Sequence, residues 1–181
     1  MRSSVARGTA QTSHVREFKL AAEAAGARVR SATSAEVNDL LVSYEAGSLE
    51  GGIGYSSDLL CVLGREIPTD RTIRPFTWIS RGRLGIASTG TVLVAERLAE
   101  DRICALLSTQ HVLVVPSDHI VATLDQTAGS VRALLSAGLG YVTFTTGPSR
   151  TSDIEKVLTL GAHGPAQLDI ILVEGWEPHD D

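Results

Sequence analysis

Residues 141–155, Tyr-Val-Thr-Phe-Thr-Thr-Gly-Pro-Ser-Arg-Thr-Ser-Asp-Ile-Glu, decide how this chain is read. Tyr141 to Thr145 is β-branched and aromatic, the composition of a strand. Gly147-Pro148 breaks it, setting a residue free in φ beside one whose φ is fixed. Ser152-Asp153-Ile154-Glu155 then fits a capping box, in which a Ser oxygen accepts from a free amide and a Glu further on reaches back to the cap. The pattern predicts a strand, a sharp turn and a short helix starting near Thr151. The free amides of such a helix, the hydroxyls of Ser149 and Thr151 and the guanidinium of Arg150 can hold a carboxylate or phosphate. Asp153 works against this by neutralising Arg150. A capped turn with an Arg–Asp pair and no ligand is an equally good reading of the same residues.

Outward from this stretch the elements alternate. Val15 to Ala25 reads as a helix stopped by Gly26, Ala27 to Arg30 as a short strand, and Ser34 as the cap of a helix running through Val37 toward Glu45. Arg83 to Ala95 carries two apolar runs about Ser88-Thr89-Gly90-Thr91, read as strands meeting at a loop of backbone donors. Leu98 to Leu107 reads as helix, His111 to Val115 as a buried strand, Leu124 to Ala137 as a helix ending at Gly138, and Leu168 to Val173 as the last strand. Strands apolar throughout, separated by helices, predict an α/β fold with a mostly parallel sheet covered on both faces. Gly51-Gly52-Ile53-Gly54 lacks the lysine of a phosphate loop and the spacing of a dinucleotide fingerprint, so a nucleotide loop is set aside.

Composition bounds the function. The chain has 181 residues, 43% of them hydrophobic, enough for one sizeable core. A net charge of -5 and a pI near 5.5 argue against a nucleic-acid binder. Arg65, Arg71, Arg74, Arg81 and Arg83 form a local arginine excess, read as a solvated loop first and as a contact for an anion or acidic partner second. Cys61 and Cys104 each sit among apolar residues and read as small buried hydrophobes; with no Cys-x-x-Cys the chain has no thiolate set for an iron–sulfur cluster. No metal-ligand spacing of histidines occurs. The absence of a signal peptide or a long apolar run predicts a soluble cytoplasmic protein with no membrane partner.

The stretch Thr146 to Glu155, followed by Gly161-Ala162-His163-Gly164-Pro165 and the strand Leu168 to Val173, resembles the signature of the LutC/YkgG family (lactate utilization protein C, the LUD domain, DUF162). Gly85 to Val92 resembles that family's Thr-Gly-Thr segment. The resemblance runs from about Phe18 to Val173, with a single LUD domain over residues 14–176 and flexible termini at 1–13 and 177–181. Two departures stand out: Ser88 occupies a position where the family often has Glu, and the N-terminal region is shorter than usual.

The resemblance implies a NagB/RpiA/CoA-transferase-like fold. It also implies a role as subunit or accessory of an iron–sulfur system oxidising L-lactate to pyruvate, with clusters held only by LutA-like and LutB-like partners and no cofactor in this chain. Thr89, Gly90, Thr91, Gly147, Ser149, Arg150, Thr151 and Asp153 would then hold a small carboxylate or phosphate, Arg150 being suited to it by its planar fork. His163 would stand nearby as an acid or base. Two alternatives stay open: a stand-alone NagB/RpiA-like enzyme acting on a phosphorylated or carboxylate metabolite, and a non-catalytic docking module contacting partners through the Arg65 to Arg83 region.

Overall fold

Ten strands and five helices follow one another in the computed structural model, which describes residues 2–46, 52–66, 76–152, 158–160 and 164–176. The order is α1 (Arg2–Ala24), β1 (Arg28–Thr33), α2 (Val37–Ala46), β2 (Ile53–Tyr55), α3 (Ser57–Val62), β3 (Thr77–Ile86), β4 (Thr91–Glu96), α4 (Ala99–Leu107), β5 (Gln110–Pro116), β6 (Ile120–Val121), α5 (Ala128–Ser136), β7 (Tyr141–Thr145), β8 (Arg150–Ser152), β9 (Leu158–Leu160) and β10 (Gln167–Glu174). Short 3-10 turns precede β6 and α5.

The main sheet has eight strands in the order β1-β10-β5-β3-β4-β7, with β2 and β6 also paired to β3. The strand β3 is the axis of this sheet, and all ten of its residues are buried. One edge carries β5 along Thr77 to Arg81 and then β6 at Gly85 and Ile86; the other carries β2 along Thr77 to Ile79 and then β4. Pairings along β1, β10, β5, β3, β2 and β6 are parallel, whereas β4 runs antiparallel to both β3 and β7. The sheet is therefore mixed and mostly parallel, as the apolar runs predict.

Alternation within the central strands divides the core. Leu113, Val115 and Ile170 face α1, where Phe18 and Ala22 are fully buried, while Val112, Val114 and Ile171 face Leu41 of α2 and Leu59 of α3. A smaller cluster of Leu84, Ile86 and Leu93 lies under Val131 and Leu134 of α5. Each fully buried aliphatic side chain contributes on the order of 1.5–3 kcal/mol relative to exposure, so both sheet faces must be covered.

Several expectations are corrected. The segment 2–13, expected as a flexible terminus, forms the first half of α1, and Gln11 Nε2 donates to the carbonyl of Ser117 at 2.8 Å. Just ahead of α2 the Glu36 carboxylate accepts from both the amide and the hydroxyl of Thr33, at 2.9 Å each, which ties the end of β1 to the start of the helix. Gly26 does end α1, at φ +95°. Where a helix was expected to start near Thr151, Arg150–Ser152 is strand, paired antiparallel to Leu158–Leu160, because a ladder of non-local pairs outcompetes a local capping signal; residues 153–157 lie outside the described residues. The strand expected from Arg83 begins six residues earlier, at Thr77, and Cys61 is exposed, only Cys104 being buried. The expected flexible terminus 177–181 lies outside the described residues.

Gly90, at φ +64°, sits against the backbone of α1; a Cβ there would stand 2.1 Å from the Ala22 nitrogen, whereas at Gly138, at φ +81°, it would meet nothing within 4 Å. Gly138→Ala should cost about 1 kcal/mol for its backbone conformation alone, and Gly90→Ala ~3 kcal/mol or more once the forced displacement of α1 is added. Urea denaturation of both variants measures the difference, and equal losses would refute this account of Gly90.

Candidate functional site

The two glycine turns singled out by the sequence meet at the C-terminal end of α1. Thr91 Oγ1 lies 2.7 Å from Thr89 Oγ1 and 2.6 Å from Thr146 Oγ1, so one hydroxyl chain joins the 89–91 turn to the 146–150 turn. Gly147 has φ +65°, and a Cβ there would stand 2.4 Å from the carbonyl oxygen of Ala25. Arg150 Nη2 donates to that same oxygen at 2.7 Å, a cation placed at the end of a helix where the carbonyls point outward.

The amides in these turns are engaged as well. Gly90 donates to the carbonyl of Ile86 at 2.9 Å and Ser149 to that of Pro165 at 2.8 Å. The structure thus brings Thr89, Gly90, Thr91, Gly147 and Arg150 together around the end of α1. Thr151 belongs to β8, and Asp153 and His163 lie outside the described residues.

Beside this junction is a cavity of about 230 Å3, floored by β4 and β7 and closed by α4, the Gly147 turn and the approach to β10. Its polar lining is Glu96, Arg102, His111, Thr143, Thr145 and Ser149, and its apolar wall includes Val94, Leu106, Phe144 and Pro165. Gly147 and Ser149 are the members of the predicted set that reach it. Glu96, Arg102 and His111 are additional: one ends β4, one lies on α4 and one opens β5.

Glu96 is 3% exposed, and its carboxyl oxygens make no hydrogen bond of good geometry among the described residues, although the Ser80 hydroxyl faces them and weakly favours the charged form. Burial, and after it the negative charge of Asp101, push its pKa up to about 8; Ser80, Asp58 and Arg83 have smaller influences, of which only Asp58 adds to the rise. Glu96 is therefore mostly neutral at pH 7. His111, also buried, shares a 3.0 Å hydrogen bond between Nε2 and Ser80 Oγ, and desolvation lowers its pKa to about 4, so it too is neutral. Arg102 is held by donating from Nη1 to Thr143 Oγ1 at 3.0 Å, and no carboxylate among the described residues is paired with it. The pocket thus presents one cation and two neutral proton-exchanging groups. A small anion can be bound there without facing a buried negative charge.

No local pattern pointed to these residues. Glu96 closes an apolar strand and His111 opens one, and the placement of a titratable group at the end of a buried strand was the signal available.

The arginine-rich segment resolves differently from expectation. Arg81 and Arg83 are buried in β3, and Arg83 Nη2 donates to Asp58 Oδ1 at 2.6 Å, with Arg81 Nη1 3.7 Å from Asp58 Oδ2. They are therefore not a solvated loop, nor a surface contact for a partner. Arg65 stacks over Tyr55 at 5.5 Å and lies 3.5 Å from Glu45, while Arg71 and Arg74 fall outside the described residues. Among the described residues no group of three or more His, Cys, Asp or Glu is arranged to hold a metal, and no helix is long and apolar enough to cross a membrane.

Fold and site together define an α/β protein with a mixed sheet and a small, polar-floored pocket under a glycine turn. Residues 77–173 match the family model of the LUD domain, and the chain belongs to that family. It is 32% identical over 98 residues to Lactate utilization protein C of Bacillus subtilis, covering 52% of this chain and 41% of that protein. With the protein of the same name from Deinococcus radiodurans it shares 36% identity over 91 residues, covering 50% and 42% of the two chains. The matched region is thus about two fifths of the length of these relatives. The crystal structure of a DUF162 family protein from Deinococcus radiodurans superposes with a TM-score of 0.63 over 90% of this chain and 98% of that one, at 18% identity, which establishes a shared fold.

The neutral Glu96 has a consequence for stability. Its pKa is near 8 in the folded state against an ordinary 4.5, so the folded protein holds a proton that the unfolded chain releases, and stability is lost as pH rises toward 8. Between pH 6.5 and 8 the loss should be on the order of 1.5 kcal/mol. His111, with its value lowered to about 4, acts in the opposite sense and mainly below pH 6.5. Glu96→Gln should remove the decline between pH 6.5 and 8, and chemical denaturation at the two pH values measures it; an unchanged slope in the variant would show that another group is responsible.

Proposed function

We propose that this chain serves in lactate utilization, as its relatives' name indicates, by binding a small carboxylate in the pocket formed by β4, β7, α4 and the Gly147 turn. The observation that carries this reading is Arg102, oriented by Thr143 and paired with no carboxylate among the described residues, at a cavity whose other ionisable groups are neutral. A guanidinium in such surroundings favours a carboxylate, and charge-assisted hydrogen bonds are the stronger kind. The volume, about 230 Å3, is below the usual range of roughly 300–1,000 Å3 for drug-sized ligands, so it suits a lactate-sized molecule better than a nucleotide.

In this reading Gly147 and Ser149 form the wall, while Thr89, Gly90, Thr91 and Arg150 secure α1 behind it. The earlier expectation that Arg150 and Thr151 contact the ligand survives as a rival placement of the anion. His163 and Asp153 complete the set of candidates, His163 because it directly precedes Gly164, which lines the cavity. Having only Cys61, exposed on α3, and Cys104, buried on α4, the chain would leave electron transfer to iron–sulfur partners of the LutA and LutB kind. A docking role is favoured by a different observation: Leu106 of α4 and Phe144 of β7, which line the pocket, and Ile103 and Leu107 of α4 are each more than 40% exposed.

Calorimetric titration at pH 6.5 with L-lactate, pyruvate and a sugar phosphate tests the site. Lactate or pyruvate should bind saturably, and Arg102→Ala should weaken binding by ~1.5 kcal/mol or more, about tenfold. Loss on Arg150→Ala with Arg102→Ala unchanged would move the anion to the α1 junction. Preference for the sugar phosphate would favour the stand-alone enzyme, and no binding of any would favour docking.

A further inference from the structure

Four buried or nearly buried carboxyl groups surround the central strands, and three of them accept hydrogen bonds of good geometry. Asp169 accepts from Arg28 at 2.6 and 3.1 Å, from Gln110 at 2.9 Å and from Tyr44 at 2.9 Å. Asp101 accepts from the Ser57 amide at 2.9 Å, and Asp58 holds Arg83. Glu96 differs: it is as buried as these, lines a cavity, and makes no hydrogen bond of good geometry on either oxygen among the described residues. An unsatisfied buried polar group costs roughly 1–3 kcal/mol, so a ligand oxygen that engaged the Glu96 carboxyl would recover part of that cost.

We propose that Glu96, carrying its proton, donates it in a hydrogen bond to an oxygen of a short monocarboxylate with a 2-oxo or 2-hydroxy group, whose anionic end is held by Arg102. The inference rests on the pocket reading given above and adds to it the class of ligand and its linkage to protons. The groups facing Glu96 are Asp101 on α4, Asp58 on α3, and Ser80 and Arg83 on β3; His111 of β5 and Arg102 of α4 share its cavity. His111, near 4, does not titrate between pH 6.5 and 9, and burial together with Asp101 is what keeps Glu96 protonated through neutrality. Ionisation of Glu96 would place a negative charge beside the ligand's own and remove the donor. Ligand capture is thereby expected to be strong near neutrality and to fade in alkali.

The test is calorimetric titration of the whole chain with pyruvate and with L-lactate at pH 6.5 and pH 9, on the wild type and on Glu96→Gln, which keeps a donor but cannot ionise. With a pKa near 8, about a tenth of Glu96 is protonated at pH 9, so wild-type affinity should fall about tenfold. Glu96→Gln should bind equally at the two pH values. If the variant fails to fold, titrations at pH 9 in buffers of different ionisation enthalpy serve instead, and the wild type should take up about one proton per ligand. Binding that is independent of pH in the wild type, with no proton uptake, overturns the role of Glu96 and leaves the Arg102 pocket standing. A tenfold loss that persists in Glu96→Gln overturns it too. Absence of binding at pH 6.5 by a protein with an intact circular dichroism spectrum overturns both readings.

Discussion

The close seating of the last turn of α1 against two glycine turns is the constraint on which the rest of this structure depends. Gly90 and Gly147 come from opposite ends of the LUD region, yet each lies where a Cβ would be within 2.4 Å of α1 backbone atoms, and both have positive φ. A side chain at either place would lift the helix off the sheet. With α1 seated, Phe18 and Ala22 cover Leu113 and Ile170, and Arg150 is drawn onto the Ala25 carbonyl. The Gly147 turn that receives the helix also forms one wall of the pocket, so a shift of α1 would be felt at Ser149. Packing and candidate chemistry thus share one set of contacts.

Charge is the second constraint. An eight-stranded sheet buried on both faces has little room for ions, and yet β3 carries Arg81 and Arg83 through its middle. Asp58 lies against both guanidinium groups, which compensates a desolvation cost of several kcal/mol per ion. The cluster of Asp58, Asp101 and Glu96 then holds more carboxyl groups than one site readily ionises. Neutralisation falls on Glu96, the member without a hydrogen bond of good geometry among the described residues. The proton on Glu96 follows from where the other charges are satisfied.

The legibility of the sequence followed the same physics. Residues 111–115 and 168–173 are mostly apolar and β-branched and are buried central strands, whereas 141–145, rich in Thr and aromatic residues, is a strand at the sheet edge that is only partly buried. The start of β3 was hidden since Ser80-Arg81-Gly82-Arg83 reads as an exposed loop unless Asp58 is known to stand opposite. The Ser152–Glu155 box suggested a helix on local grounds, whereas pairing with Leu158–Leu160, a non-local contact, makes residues 150–152 a strand. For the site, Gly147 and Ser149 of the motif line a cavity. Glu96 and Arg102 are isolated in sequence, and only the fold places them beside that turn.

The 18% identity shared with a structure of the same fold separates what a LUD domain must specify from what it can vary. A strand residue packed between helices needs to be apolar and of suitable volume, and many sequences meet that requirement at a cost under about 1.5 kcal/mol per volume-conserving exchange. A turn residue at positive φ in contact with helix backbone has almost no alternative to glycine. The 89–91 and 146–150 turns are therefore the parts of this chain whose residue types are most tightly tied to the seating of α1. The pocket floor is under no such geometric compulsion: Glu96 ends a strand, where the backbone admits many residue types. A buried acid at a cavity carries a desolvation cost that an apolar side chain would avoid, and the proposed ligand would offset that cost.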